Sequence, residues 1–182
     1  LGVEVPTGES VKNIEEGKIA LENEIIEAGN IIWAAGMKAG LLTAQLGVEL
    51  DKSGRIMVQP DLSLPGHPEV FAVGDIASLV DAHGNPVPGI CPAAIQMARQ
   101  AAVTIEREIE SPADIKPERK AFVYRDKGTM ATIGRSKAVA MTGPFRLSGF
   151  LAWLSWLFIH LIFLIGFRNK MAVLLQWSYS YL

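Results

Sequence analysis

Hydrophobic positions along the chain change period several times, and each change marks an element. Over residues 1–35 apolar side chains come in short runs or alternate with polar ones: "LGVEV", "ESVKNI", "GKIAL" and "NIIWAA", separated by Thr-Gly, Glu-Glu-Gly and Ala-Gly. β-Rich runs with such breaks predict a meander or hairpin stack. Gly36 ends the last run, and the pattern is irregular until "RIMVQPDLSL", which predicts one more strand and a loop punctuated by proline. "PGHP" predicts a turn, and "EVFAV" is a short, wholly apolar run of the kind buried in a parallel sheet. After the loop "DAHGNPVPG" the period becomes helical through "CPAAIQMARQAAVTIEREIE", with Pro92 suited to the first turn and "SPADIKP" as the stop. Strand character returns over 119–143, with Asp126-Lys127-Gly128 predicted as a hairpin turn. From Leu147 to Phe167 no residue is charged, Arg146 and Arg168 bracket the run, and "NKMAVLLQWSYSYL" predicts a closing apolar helix.

Charge sharpens this picture. Residues 1–115 carry 7 basic and 17 acidic side chains, whereas residues 116–182 carry 10 and 2. The basic excess coincides with the most apolar segment, which favours an anionic membrane over nucleic acid as a partner. The uncharged run is long enough for a membrane span. Ser148, Gly149, Ser155, His160 and Gly166 interrupt it, and Trp153, Trp156, Trp177, Tyr179 and Tyr181 are residues favoured at membrane interfaces. Helices seated in the headgroup zone of one leaflet suit this composition; a single span and a buried hairpin are the alternatives. Cys91 is the one cysteine among 182 residues, so no internal disulfide, dithiol relay or multi-cysteine metal site is available. The expectation for it is a small, buried apolar residue. Three scattered histidines lack ligand spacing, and no metal site is expected. The chain opens on Leu-Gly-Val-Glu-Val without an initiator methionine or a signal peptide, as a fragment lacking its N-terminal part would.

The candidate chemistry starts at Gly74-Asp75, where "EVFAV" stops. A glycine at a strand end lets a ligand approach the backbone, and an aspartate there can accept hydrogen bonds from sugar-like hydroxyls. Taken alone, the pair reads first as an ordinary Asx turn. With its surroundings, "PDLSLPGHPEVFAVGDIASL" followed by "CPAAIQMARQAA" resembles the closing flavin-binding segment of the pyridine nucleotide-disulfide oxidoreductase superfamily. The resemblance implies an α/β fold built on two dinucleotide-binding, Rossmann-like domains. It makes Gly74 and Asp75 ligands of FAD, with Asp75 on the ribityl chain. The helix after them would point its N-terminus at the flavin ring, where positive partial charge stabilises the reduced form. "NIIWAAG" resembles the return crossing between the two domains, which would bring Ala35 and Gly36 near the cofactor.

Gln96 and Gln100 stand four residues apart, so both amides share one helix face. "PAAIQMARQ" resembles the Ala-Gln-x-Ala-x-Gln signature of type II NADH:quinone oxidoreductases, with Ile95 in place of the first alanine. By that resemblance Ile95 and Gln96 lie against the flavin, and Gln96 and Gln100 serve the quinone. An amide can hydrogen-bond a quinone carbonyl without titrating; a solvent-facing polar stripe is the alternative. "FVYRDKGTMATIG" resembles the same enzymes, which would place Lys127 near flavin and quinone and Met130 along the quinone's path. Without the resemblance, Lys127 is a solvent-exposed turn lysine and Met130 ordinary core. "HLIFLIGFRNKMAVLLQWSYSYL" resembles their monotopic C-terminal anchor.

The implied organisation is the end of an NAD(P)H-binding domain at 1–35, the C-terminal half of an FAD-binding domain at 36–115, and a basic hairpin with membrane-anchoring helices at 116–182. The implied function is NADH:quinone oxidoreduction without proton pumping, with FAD as cofactor, NADH and a membrane quinone as substrates, and no side chain required as a nucleophile. A homodimer at the cytoplasmic face of the cell membrane, contacting lipid and no nucleic acid, completes the expectation. A sulfide:quinone or ferredoxin-linked flavoprotein and a non-enzymatic membrane-binding remnant are the alternatives. Gly-x-Gly-x-x-Gly fingerprints for pyrophosphate are absent from these residues, so this polypeptide by itself is expected to hold FAD poorly.

Overall fold

A computed structural model describes residues 2–34, 36–112, 114–115 and 117–181. They form two compact units, Leu1–Lys38 and Ala39–Leu182. The first is an antiparallel meander, β1 (Asn13–Glu15), β2 (Lys18–Ala20) and β3 (Ile25–Glu27), with Ile14 opposite Ile19 and Ile19 opposite Ile26. Two predicted strands are not formed: residues 2–5 and 30–34 carry no strand. Ile32 and Trp33 are 88% and 61% exposed, so the apolar run "NIIWAA" lacks among the described residues the neighbour that would bury and pair it. The short run Ile25–Glu27, which sequence periodicity passed over, pairs in its place because the Leu21–Glu24 turn returns it to β2.

The second unit begins with a single helical turn, α1 (Leu41–Ala44), and continues with β4 (Ile56–Met57), β5 (Ser63–Leu64), β6 (His67–Phe71), a 3-10 turn over Gly74–Ile76, and β7 (Ala77–Ser78). β4 and β7 are parallel, with Ile56 opposite Ala77. The run "EVFAV" departs from expectation. Its strand β6 pairs antiparallel with β5, and its residues His67–Val70 are exposed. Pro65-Gly66 is the reason: it joins Leu64 directly to His67, and a two-residue connection can link only antiparallel neighbours. Burial begins at the end of the run, where Ala72 is 3% exposed.

Helix α2 (Cys91–Glu110) matches its predicted bounds, with proline in its first turn and Ser111 closing it by donating its hydroxyl to the Arg107 carbonyl at 2.7 Å. Ala93, Met97 and Ala101 recur every fourth residue and are its buried stripe. Ala93 and Met97 join a core built on Ile56, Leu62, Leu64, Val87 and Phe122. Cys91 is exposed rather than buried, because the first residue of α2 lies ahead of that stripe.

The basic part forms an antiparallel sheet of β8 (Thr129–Thr132), β9 (Ala138–Thr142) and β10 (Phe145–Gly149), with β9 in the middle. Asp126-Lys127-Gly128 is therefore not a hairpin turn; it leads into β8, and residues 117–128 have no strand pairing to fold back on. The uncharged run is also divided. Its first residues finish β10, α3 covers Phe150–Phe163, and α4 covers Phe167–Tyr181. No described helix is long and apolar enough to cross a membrane. Ala138 and Ala140 of β9 leave room for Ala152 and Trp153 of α3, and this small second core holds the helix on the sheet. Trp156 of α3 lies 6.0 Å from Trp177 of α4, ring to ring, and Lys170 donates its ammonium to the Ile162 carbonyl at 2.9 Å, tying the two helices together.

Candidate functional site

The site is built where the 3-10 turn meets the first turns of α2. Gly74 has φ +75°, in the left-handed region that disfavours side chains, and a Cβ added there would stand 3.2 Å from Ala94 Cβ. Bare backbone is thus required twice, for the turn and for its approach to the helix. Asp75 follows, exposed, and makes no hydrogen bond or ion pair among the described residues. Close to it, α2 starts at Ile90 without a side-chain cap, so the positive end of a 20-residue helix is left for other partners. Replacing Gly74 with alanine is expected to destabilise the protein by about 2 kcal/mol, combining left-handed strain with the tight contact. Urea unfolding midpoints measure this.

Ile95 is 47% exposed on the next turn. Gln96 is half-buried, and its amide is engaged on both sides by the backbone of one residue. Its Nε2 donates to the Arg125 carbonyl, and its Oε1 accepts the Arg125 N–H, each at 3.0 Å. Gln100, one turn later, donates to the Lys120 carbonyl at 2.9 Å. The shared face is therefore a seam that holds residues 120–125 against α2, not a free polar stripe. An amide nitrogen has two N–H groups, so each glutamine keeps one for another acceptor.

That seam delivers Lys127. Asp126 Oδ1 accepts the Gly128 N–H at 2.8 Å, Gly128 turns at φ +91°, and the Lys127 ammonium lies 5.8 Å from the centre of the Phe163 ring at the end of α3. Lys127 is exposed but tethered, unlike a turn lysine free in solvent. Met130 packs half-buried on the second core, opposite Ala140, and borders an open apolar groove of about 620 Å³ with Val139, Met141 and Leu147. Gly36, with φ +82°, belongs to the first unit, and Ala35 lies outside the described residues. No group of three metal-ligating side chains occurs among the described residues.

Two residues to which sequence reasoning gave no part in the site hold the frame. Gly128 is one; a side chain there would run into the backbone of β9 at Met141 and Thr142. Arg119 is the other. It donates to both carboxylate oxygens of Glu108, to Asp61 Oδ2 at 3.0 Å and to the Pro68 carbonyl at 2.8 Å, and lies 5.0 Å from the Phe71 ring centre. Only the positive φ that glycine permits hinted at the first, and nothing in sequence spacing marks the second.

A family model described as pyridine nucleotide-disulphide oxidoreductase matches residues 1–98, more than half of the chain. The chain belongs to this family. Among related pyridine nucleotide-disulphide oxidoreductases, it is 43% identical to the type II NADH:quinone oxidoreductase Ndh of Mycobacterium tuberculosis, across 100% of this chain and 40% of that protein. It is 41% identical to NdhA of the same organism, across 86% of this chain and 33% of that protein. The chain therefore spans well under half the length of these relatives. Among solved structures, NDH2 of Plasmodium falciparum in complex with NADH aligns at a TM-score of 0.72 with 13% identity, over 90% of this chain and 48% of that one. That likeness supports the Rossmann-like fold expected of the family.

Proposed function

We propose that this chain forms part of a type II NADH:quinone oxidoreductase that binds FAD and reduces a membrane quinone. The supporting observation is the packing of the Gly74 turn on the first turns of α2, with the unpaired Asp75 carboxylate beside it. These groups fit a flavin nucleotide. An ionised carboxylate accepts hydroxyl hydrogen bonds, a glycine lets the ligand lie on the backbone, and an uncapped helix start favours electron-rich ring atoms. The two mycobacterial relatives, both named type II NADH:quinone oxidoreductases, support the choice of substrates.

FAD, when bound, would accept hydride from NADH and pass electrons to quinone, so no side chain need form a covalent bond. The chain's own residues would bind and orient. Asp75 would hold the polyol hydroxyls, and Gly74 would admit the cofactor. Lys127 would set a positive charge beside the reduced ring. The spare N–H groups of Gln96 and Gln100 would meet the quinone oxygen, and Met130 would line an apolar approach to it. In the intact protein, Asp75→Ala is expected to lower flavin content at least tenfold, since a charge-assisted hydrogen bond is worth roughly 1.5–3 kcal/mol. The flavin absorbance of purified variant and parent measures it, and equal content would overturn the assignment.

The same proposal seats α3 and α4 in one leaflet, at the cytoplasmic face of the cell membrane. Support comes from the surface of α3, where Leu154 and Phe158 are 50% and 64% exposed, and from the basic excess of residues 116–182. Leu154→Asp with Phe158→Asp is expected to reduce binding to anionic liposomes by more than tenfold, because a buried aliphatic or aromatic side chain contributes about 2 kcal/mol. Flotation with and without anionic lipid checks this. A homodimer is the assembly the family resemblance favours, and sedimentation of the intact protein tests it.

A further inference from the structure

Gln96 pairs an amide N–H and its carbonyl oxygen with the C=O and N–H of a single residue, Arg125, as a neighbouring β-strand would. The segment it engages has no strand pairing of its own through residue 128, so the side chain stands in for a missing ladder. We infer that Gln96 is a positioning residue: by gripping the Arg125 peptide it sets where the Lys127 ammonium stands against the flavin site. This rests on the functional reading above and adds to it a role distinct from quinone contact.

The restraints on this loop divide by direction. Gly128 packs on β9, and Lys127 reaches the Phe163 ring of α3, both on the side of the basic sheet. Towards α2, the helix whose first turns carry Ala94 and the Gly74 contact, the hydrogen bonds from residues 125–128 among the described residues are the two to Gln96. Removing that amide would leave the loop attached to the sheet and α3 and release it from the flavin side. Glutamine suits the position because it both donates and accepts. A carboxylate of the same length would accept the Arg125 N–H and repel the Arg125 carbonyl, and methionine would fill the space with neither bond.

The test uses the intact, flavin-loaded protein and two readouts, amide hydrogen exchange over residues 120–128 and the flavin midpoint potential. Gln96→Met is expected to speed exchange of the Arg125 amide about tenfold, the loss of one hydrogen bond's worth of protection. Gln96→Glu, which keeps the acceptor, falls between it and the parent in exchange. Gln96→Met is also expected to shift the potential downwards, as Lys127→Ala does, and to add no further shift once Lys127 is alanine. Unchanged Arg125 exchange in Gln96→Met, or an undiminished shift in the Lys127→Ala background, overturns the inference alone. No shift in Lys127→Ala itself overturns the placement of Lys127 beside the flavin, and the inference with it.

Discussion

Alanine at position 128 is expected to lower stability by about 3 kcal/mol, and alanine at position 143 by only about 1. Both glycines sit at positive φ, +91° and +53°, so both substitutions carry backbone strain. They differ in what the new methyl group meets. At Gly143 nothing lies within 4 Å. At Gly128 the methyl would overlap the Met141 carbonyl oxygen and stand 2.9 Å from Thr142 Cα. Those atoms belong to β9, which is paired to β8 on one side and β10 on the other and so cannot withdraw without breaking ladder bonds. Strain adds roughly 1–3 kcal/mol and overpacking a similar amount, which gives the larger figure. Urea unfolding of the two variants under one set of conditions makes the comparison, and similar midpoints would refute the role given to β9. Because Gly128 follows Lys127 directly, its alanine variant should also disturb that lysine, whereas the Gly143 variant should not.

Local features of the chain were legible because their causes are local. The bounds of α2 follow from Pro92 at its start, an alanine-rich interior, and Ala93, Met97 and Ala101 at four-residue intervals. Gly74-Asp75 was legible as a turn, and its approach to α2 followed from family resemblance, not from spacing. What periodicity could not supply is pairing. "EVFAV" reads as a parallel strand by composition, and Pro65-Gly66 makes it antiparallel. "NIIWAA" has the composition of a strand but no described partner. The two glutamines share a face, as spacing required, yet their partners stand 29 and 20 residues away, and only the fold reveals that these are peptide groups. The uncharged run of residues 147–167 met a length criterion for crossing a membrane, but hydropathy is blind to the sheet register that draws its first three residues into β10. Arg119 shows the limit most plainly: its contacts reach Asp61, 58 residues earlier, and Glu108, 11 residues earlier, and no period of the sequence connects the three.

Arg119→Met is expected to cost about 3 kcal/mol, although it changes neither the proposed flavin ligands nor the proposed membrane surface. The guanidinium joins three parts of the second unit: Glu108 near the end of α2, Asp61 in the loop before β5, and Pro68 and Phe71 of β6. Its side chain is 19% exposed, with Asp61 at 20% and Glu108 at 31%, so the charges are shielded but not sealed. Removing the cation takes from both carboxylates the counter-charge that Arg119 supplies. The loop bearing Asp61 is poorly placed to absorb that, because Leu62 is held at φ +76° while fully buried, a strained conformation that its neighbours must enforce. Neutralising the partners separates charge from packing. If the lost charge interaction with Arg119 causes the destabilisation, Asp61→Asn with Glu108→Gln should recover at least half of it in the methionine background; recovery of nothing would assign the loss to packing. Acid gives a second check. Burial pushes the Asp61 carboxyl up, but hydrogen bonds from the Ser63 hydroxyl and Arg119 outweigh it and hold the group below its ordinary value of 3.8. A carboxyl depressed on folding stabilises the protein above its unfolded value and loses that contribution as pH falls through the folded one. The stability gap between parent and Arg119→Met should therefore be full near neutrality and narrow below about pH 3.8 as Asp61 takes up its proton. A gap that stayed constant in acid would show that Arg119 acts through packing and not through its charge.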